Sequence, residues 1–240
     1  MQCLILAGGL GTRMRGVTEG VAKTLLPVAG RPFADHQLNW LSGQGVGRVV
    51  YAIGHSGGQI RDFVGDGGRW GLDVTYVDEG ENLLGTGGAV RRAVDISPNG
   101  LDGGFLILYG DSYLTIDVGA VWAASRGGAF ALMCVLRNQG RWDASNAVFE
   151  GGWVTCYEKG RVDAAAIGMN YIDYGLSVLT PDLVRAHISA GAVGDLADIF
   201  GPLAAAGKLR GFEAVERFYE IGSPEGLADL ERHLKGKGEL

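Results

Sequence analysis

The chain has 240 residues, of which 47% are hydrophobic and 20% charged, so it can bury a sizeable core and is not a disordered protein. Its net charge of −6 argues against a basic face for general nucleic-acid binding, but it leaves room for an anionic small ligand held by local cations. No apolar run reaches the roughly 18 residues of a membrane span and no signal peptide is recognisable, so we expect a cytoplasmic protein without membrane contact.

Strand-like and helix-like segments alternate over the first part of the chain. Strands are predicted at 2–7, 48–54, 72–78, 104–112 and 129–136. Helices are predicted at 33–45, 59–64, 87–96 and 117–126. This alternation predicts an α/β fold of right-handed βαβ units, with a mainly parallel sheet covered on both faces.

The rhythm changes after Arg137. A hairpin is predicted over 146–160 with its turn at Gly151-Gly152, followed by strands at 169–179 and 209–214. Helices are predicted near 181–190 and 195–207, with a last helix ending near Lys235. Because no linker or repeat separates these parts, we expect a single domain over residues 1–240.

Glycines follow the first predicted strand in the segment LILAGGLGTRMRG, residues 4–16. The carboxyl end of a strand is where open α/β sheets bind ligands, and bare N–H groups from Gly8 to Thr12 can approach phosphate closely. Arg13 can bind phosphate oxygens bidentately, while Lys23 supplies a point charge from another direction. The segment therefore indicates a phosphate-binding loop, with a simple tight turn as the alternative.

Two familiar phosphate-loop patterns fail here. A dinucleotide G-x-G-x-x-G motif starting at Gly9 would need glycine where Met14 stands. A Walker A loop ending at Lys23-Thr24 would need glycines where Val17 and Ala22 stand. A dehydrogenase-like dinucleotide binder is accordingly disfavoured.

The continuation VAKTLLPVAGRPF, residues 21–33, completes the pattern GGxGTRM, a gap, then K-x-x-x-P-V-x-G-R-P. This pattern resembles the signature of sugar-1-phosphate nucleotidylyltransferases, and the resemblance extends over nearly the whole chain. It implies a glycosyltransferase-A-like nucleotidyltransferase fold, a Rossmann-like three-layer sandwich with a mixed, mainly parallel sheet. Residues 1–115 would form the nucleotide-binding half and residues 116–240 the sugar-binding half.

Four further segments carry the resemblance, namely LLGTGGAVRRA, LILYGDS, CYEK and FYEIGSPEGL. The implied catalytic residues are Arg13 and Lys23. The implied nucleotide-binding residues are Leu6, Ala7, Gly8, Gly9, Gly11, Thr12, Arg13, Gly85, Thr86 and Gly87. The implied substrate contacts are Lys23, Gly110, Glu158, Lys159 and Asp173, and the implied Mg²⁺ ligands are Asp111 and Glu220.

Two positions depart from the family pattern. Glu220 stands where the family has a metal-binding aspartate, and its extra methylene moves the carboxylate, so the backbone must retreat or a water must intervene. Asp173 stands where the family commonly has asparagine; a carboxylate accepts hydrogen bonds but cannot donate them, so we expect it to select a different pattern of sugar hydroxyls.

The resemblance implies transfer of a nucleotidyl group from a nucleoside triphosphate to a sugar 1-phosphate, with release of pyrophosphate. The LGTGGA segment is most similar to enzymes that activate manno-configured hexose or heptose 1-phosphates with GTP. UTP, CTP or dTTP with another sugar is the alternative, as is a non-catalytic nucleotide-sugar sensor, which Glu220 would favour. Four scattered histidines agree with a reaction that needs no general base, three scattered cysteines are expected to be reduced, and a homo-oligomer is possible.

Overall fold

The computed structural model describes residues 1–9, 20–80, 82–97, 100–138, 140–142 and 144–236. The strands are β1 (Gln2–Ala7), β2 (Pro27–Val28), β3 (Arg31–Pro32), β4 (Arg48–Ile53), β5 (Asp73–Asp78), β6 (Phe105–Tyr109), β7 (Ser112–Tyr113), β8 (Leu132–Arg137), β9 (Ala147–Glu150), β10 (Trp153–Tyr157), β11 (Tyr171–Leu179), β12 (Arg210–Ala214) and β13 (Tyr219–Glu220). The α-helices are α1 (Phe33–Gly43), α2 (Gly57–Val64), α3 (Gly85–Ile96), α4 (Val118–Ala124), α5 (Pro181–His187), α6 (Ala197–Ala205) and α7 (Pro224–Gly236).

Nine of these strands form one sheet in the order β5-β4-β1-β6-β11-β8-β12-β10-β9. The pairs β5–β4, β4–β1, β1–β6 and β8–β12 are parallel. The pairs β6–β11, β11–β8, β12–β10 and β10–β9 are antiparallel. The sheet is therefore mixed, as predicted, but parallel pairs do not predominate, because β11 inserts in the opposite direction between β6 and β8.

Helices cover both faces of the sheet, and successive side chains of a strand pack alternately into the two apolar clusters between them. In β1, Cys3 and Ile5 join one apolar cluster while Leu4 joins the other, and all three are fully buried. The first cluster takes residues from α1, α2 and α4, and the second takes residues from α3, α5 and α6. Continuous apolar runs such as CLILA, which follows Gln2 in β1, are typical of strands covered on both sides.

One predicted strand is shorter than expected. The run 104–112 contains β6, which ends at Tyr109, then a turn at Gly110 and Asp111, and then the separate strand β7. Since β7 pairs with β13 rather than with the main sheet, the chain leaves the sheet just before Asp111. This exit places Asp111 in a turn just beyond the carboxyl end of β6.

A third, smaller apolar cluster supports this exit. It joins Val28 and Phe33 to Tyr113, Ile221, Leu230 and Leu234, so α7 packs over the pair β7–β13. Within the described part of the chain, no helix has the length and apolar character needed to cross a membrane.

Candidate active site

A cleft of about 260 Å³ opens at the carboxyl ends of β1 and β6. It is lined by Leu6, Ala7, Gly8, Gly9, Lys23, Thr24, Glu79, Leu83, Gly85, Thr86, Ala89, Tyr109, Gly110 and Asp111. Most of the residues implied for nucleotide binding and catalysis are therefore brought together in one place. Gly11, Thr12 and Arg13 lie outside the described residues.

Lys23 and Asp111 form an ion pair inside this cleft. The Lys23 ammonium donates to Oδ2 of Asp111, and the two side chains are 19% and 34% exposed. Lys23 begins a short 3-10 helix, Lys23–Leu25. The segment that joins this helix to α1 contains Pro27 and Pro32, which limit its flexibility. A cation and a carboxylate that are far apart in sequence thus meet where a phosphate group could enter between them.

The turn that carries Asp111 is anchored by a buried amide. Gln37, on α1, is fully buried, and its Nε2 donates to the carbonyl oxygens of Tyr109 at 3.0 Å and Ser112 at 2.9 Å. These two carbonyls flank Gly110 and Asp111. Sequence reasoning missed Gln37, although a glutamine beside the core residue Leu38 of α1 is a signal that could have found it.

Glu220 lies on β13, opposite Ser112 in the antiparallel pair, and the N–H of the next residue, Ile221, donates to the carbonyl oxygen of Asp111 at 3.0 Å. Burial raises the pKa of the Tyr109 phenol well above its usual range, and the negative charges of Asp173, Asp195, Asp111 and Glu220 raise it further. Tyr109 and Asp111 both line the cleft, so these negative charges act on a residue of its lining.

Asp111 lines the cleft and Glu220 does not, and both carry carboxylates, a ligand type that Mg²⁺ accepts. Among the described residues, no group of three or more His, Cys, Asp or Glu side chains could hold a metal ion on its own. Asp111 and Glu220 can supply two carboxylates, and Mg²⁺ commonly binds through one or two carboxylates together with substrate phosphates and waters. The donor set thus suits an ion that arrives with a triphosphate.

Glu79 was not singled out from the sequence, yet it lines the cleft. It follows β5, and its Oε2 accepts a hydrogen bond from the Leu84 N–H at 3.1 Å. Its Oε1 would lie only 2.3 Å from a Cβ atom added to Gly8, so the two residues are in close contact. Burial raises the pKa of Glu79, opposed by the Leu84 N–H and by Arg92. Its place after a parallel strand, at the same edge as the glycine loop, is the signal that could have identified it.

The glycine segment LLGTGGAVRRA, residues 83–93, lines part of the cleft and also packs against the backbone of another segment. Gly85 and Thr86 line the cleft, whereas the Gly87 N–H donates to the carbonyl oxygen of Gly194 at 2.9 Å. A Cβ on Gly87 would lie 2.7 Å from the carbonyl oxygen of Asp195. The close approach at Gly87 is therefore between helix α3 and the segment 192–195, which sequence reasoning did not anticipate.

Of the residues implied for the sugar 1-phosphate, Lys23 and Gly110 line the cleft, whereas Glu158, Lys159 and Asp173 do not. Asp173 accepts from the Gly175 N–H at 3.0 Å and from the Tyr157 hydroxyl at 3.3 Å. Burial raises the pKa of Asp173, opposed by the Gly175 N–H, the Lys159 charge and Tyr157. Lys159 donates to Asp195 at 2.7 Å, so it shares this neighbourhood. Glu158, by contrast, is occupied by Arg161 at 2.7 Å.

Residues 3–210 match the family model described as the MobA-like NTP transferase domain. The chain is 27% identical over 221 residues to a UTP–glucose-1-phosphate uridylyltransferase of Synechocystis sp., covering 86% of this chain and 56% of that protein. It is 31% identical over 118 residues to a D-glycero-alpha-D-manno-heptose 1-phosphate guanylyltransferase of Campylobacter jejuni, covering 49% of this chain and 51% of that protein. The chain thus spans about half the length of these curated relatives.

The fold is similar to that of HddC from Yersinia pseudotuberculosis complexed with GMP-PN. The TM-score is 0.79 at 23% identity, and the match covers 97% of this chain and 99% of that one. This similarity establishes a shared fold, while the family match rests on the sequence. The chain belongs to the family of MobA-like NTP transferase domains.

Proposed function

We propose that the protein transfers a nucleotidyl group from a nucleoside triphosphate to a sugar 1-phosphate, giving a nucleotide sugar and pyrophosphate. The observation that carries the proposal is the ion pair of Lys23 and Asp111 in a cleft that also contains Gly8 and Gly9. The named activities of the curated relatives support the same reaction class.

In the proposed reaction, an oxygen of the sugar 1-phosphate attacks the α-phosphorus of the triphosphate in line. A new phosphorus–oxygen bond forms, the bond from the α-phosphorus to the bridging oxygen breaks, and pyrophosphate leaves with that electron pair. The attacking phosphate is already ionised at neutral pH, so no general base is required. The main obstacle is the repulsion between two polyanions.

Lys23 and Arg13 are the proposed catalytic residues that reduce this repulsion. Lys23 would exchange Asp111 for phosphate oxygens as the triphosphate enters, and Arg13 would approach from the glycine loop. Asp111 and Glu220 would hold Mg²⁺, which supplies charge neutralisation at the phosphates when bound. The half 1–115 would bind the nucleotide, and Lys159 and Asp173 of the half 116–240 would contact the sugar phosphate.

GTP with a manno-configured hexose or heptose 1-phosphate is our preferred substrate pair. Its support is the similarity to a heptose-1-phosphate guanylyltransferase, together with the chemistry of Glu79. A carboxylate only accepts hydrogen bonds, and guanine offers adjacent N1–H and N2–H₂ donors. UTP, CTP or dTTP with another sugar phosphate is the second candidate, favoured by the similarity to a uridylyltransferase.

The test is a pyrophosphate-release screen of GTP, UTP, CTP and dTTP against a panel of sugar 1-phosphates with Mg²⁺. We expect GTP with mannose or heptose 1-phosphate to give the fastest release, and Glu79→Gln to weaken the preference for GTP. If the protein binds a triphosphate but releases no pyrophosphate with any sugar, the catalytic proposal is wrong and a nucleotide-sugar sensor takes its place.

A further inference from the structure

A hydrogen-bonded network joins the glycine segment of the cleft to Lys159. Its centre is Asp195, whose Oδ1 accepts from the Lys159 ammonium at 2.7 Å and from the Ala197 N–H at 2.8 Å. The Thr86 hydroxyl donates to the same carboxylate and accepts from the Leu196 N–H at 2.9 Å. Since Thr86 lines the cleft, a single carboxylate links both substrate sides.

The backbone that carries Asp195 is fixed to the nucleotide side. The Gly194 N–H donates to the carbonyl oxygen of Leu84 at 2.9 Å, and the Gly194 carbonyl accepts from the Gly87 N–H at 2.9 Å. The Ala197 bond also ties the Asp195 carboxylate to the start of α6. Asp195 is therefore held from two directions, whereas Lys159 follows the end of β10 on a long flexible side chain.

The charges support a positioning role. Burial by itself would raise the pKa of Asp195, but hydrogen bonds from Lys159, Ala197 and Thr86 lower it, so this carboxylate is ionised at neutral pH. The side chains of Lys159 and Asp195 are 43% and 45% exposed, so a phosphate can reach the ammonium without breaking the pair. Lys159 also lowers the pKa of Asp173, which indicates that these charges share one neighbourhood.

We propose that Asp195 is a positioning residue that holds the Lys159 ammonium in place for the phosphate of the sugar 1-phosphate. The inference rests on the proposed function. Asp195 itself is an anion and would repel that phosphate, so its contribution acts through Lys159. It removes the conformational search of a lysine with four rotatable bonds, and it sets the distance from the ammonium to the glycine segment.

The experiment measures kcat and KM for each substrate in the wild type, Asp195→Asn, Lys159→Ala and the double variant, with mannose 1-phosphate, GTP and Mg²⁺ or the fastest pair of the screen. For Asp195→Asn we expect kcat/KM for the sugar 1-phosphate to fall by about tenfold to a hundredfold, with a much smaller change in KM for the triphosphate. Because the two residues act as one unit, the double variant should be no worse than Lys159→Ala.

Asp163→Asn is the matched control. Asp163 pairs with Arg161 at 2.6 Å on the same exposed segment as Lys159, so its replacement should leave both KM values unchanged. Thermal unfolding of every variant separates a folding defect from a kinetic one. In Asp195→Asn the amide oxygen of the new side chain can still accept the Ala197 N–H, so we expect little loss of stability.

The outcomes are distinguishable. An active wild type in which Asp195→Asn behaves like Asp163→Asn, or raises KM for both substrates equally, overturns the positioning role alone. Additive losses in the double variant overturn it as well. A wild type that binds triphosphate without releasing pyrophosphate overturns the proposed function and this inference together.

Discussion

Lys23 is the described residue whose replacement should affect the reaction most clearly. We expect Lys23→Ala to lower kcat by roughly 10²–10³-fold, because a preorganised charge next to the phosphates is lost. The measurement is steady-state pyrophosphate release, with Lys208→Ala as a control at an exposed lysine far along the chain. Turnover close to that of the wild type would remove Lys23 from the mechanism, provided that circular dichroism shows an unchanged fold.

Because of Asp173, the free energy of unfolding should depend on pH. Burial raises the pKa of Asp173, so the folded state binds this proton more tightly than the unfolded state does. Ionisation therefore costs stability, and stability falls as the pH rises from the ordinary aspartate range through the raised pKa. We expect Asp173→Asn to increase the free energy of unfolding at neutral pH, with a gain that disappears under acidic conditions.

Chemical unfolding at a series of pH values measures this gain. Asp62→Asn is the control, since Asp62 is exposed on α2. A difference in the free energy of unfolding between Asp173→Asn and wild type that stays the same at all pH values would contradict a raised pKa of Asp173. In the same variant, altered preference among sugar 1-phosphates would support the proposed role in selectivity.

At the scale of elements, the glycines of α3 are expected to allow close packing against the segment 192–195. Gly88 is buried within α3, and a Cβ there would lie 2.5 Å from the carbonyl oxygen of Ala192. We expect Gly88→Ala to destabilise the protein by about 1–3 kcal/mol, although alanine favours helix, because backbone atoms cannot move aside cheaply. Thermal or urea unfolding provides the measurement.

Gly58 offers the matched helical control. It lies in α2, is exposed, and a Cβ there would meet nothing within 4 Å. Gly58→Ala should therefore stabilise the protein by about 0.4–1 kcal/mol through the unfolded state. Equal effects of the two substitutions would show that the contact with segment 192–195 does not constrain α3.

Motifs made much of the cleft lining predictable, whereas they did not reveal how the strands after Arg137 are arranged. Residues 6–9 and Asp111 lie at or just after strand ends, and Lys23 precedes a stiff proline segment, so their meeting in one cleft could be expected. The pattern at 169–179 predicts a strand but does not indicate its direction in the sheet. It therefore could not reveal that β11 pairs antiparallel with β6. Asp195 carries no motif, and its role depends on Lys159, which is distant in sequence.

At the scale of the whole molecule, stability should not depend on metal. Two large apolar clusters cover the faces of the sheet, and the described residues contain no metal-binding group of three or more side chains. We expect EDTA to abolish pyrophosphate release while leaving the thermal midpoint of the ligand-free protein unchanged. A large drop in that midpoint would indicate a structural metal instead.

The insertion of β11 also has a consequence for synthesis on the ribosome. β6, with the sequence FLILY, has β1 on one side, but its other neighbour is encoded far downstream. Until residues 171–179 emerge, this apolar strand has an open edge that could pair with another nascent chain. Translation speed over the intervening segment should therefore influence how much of the newly made protein escapes aggregation.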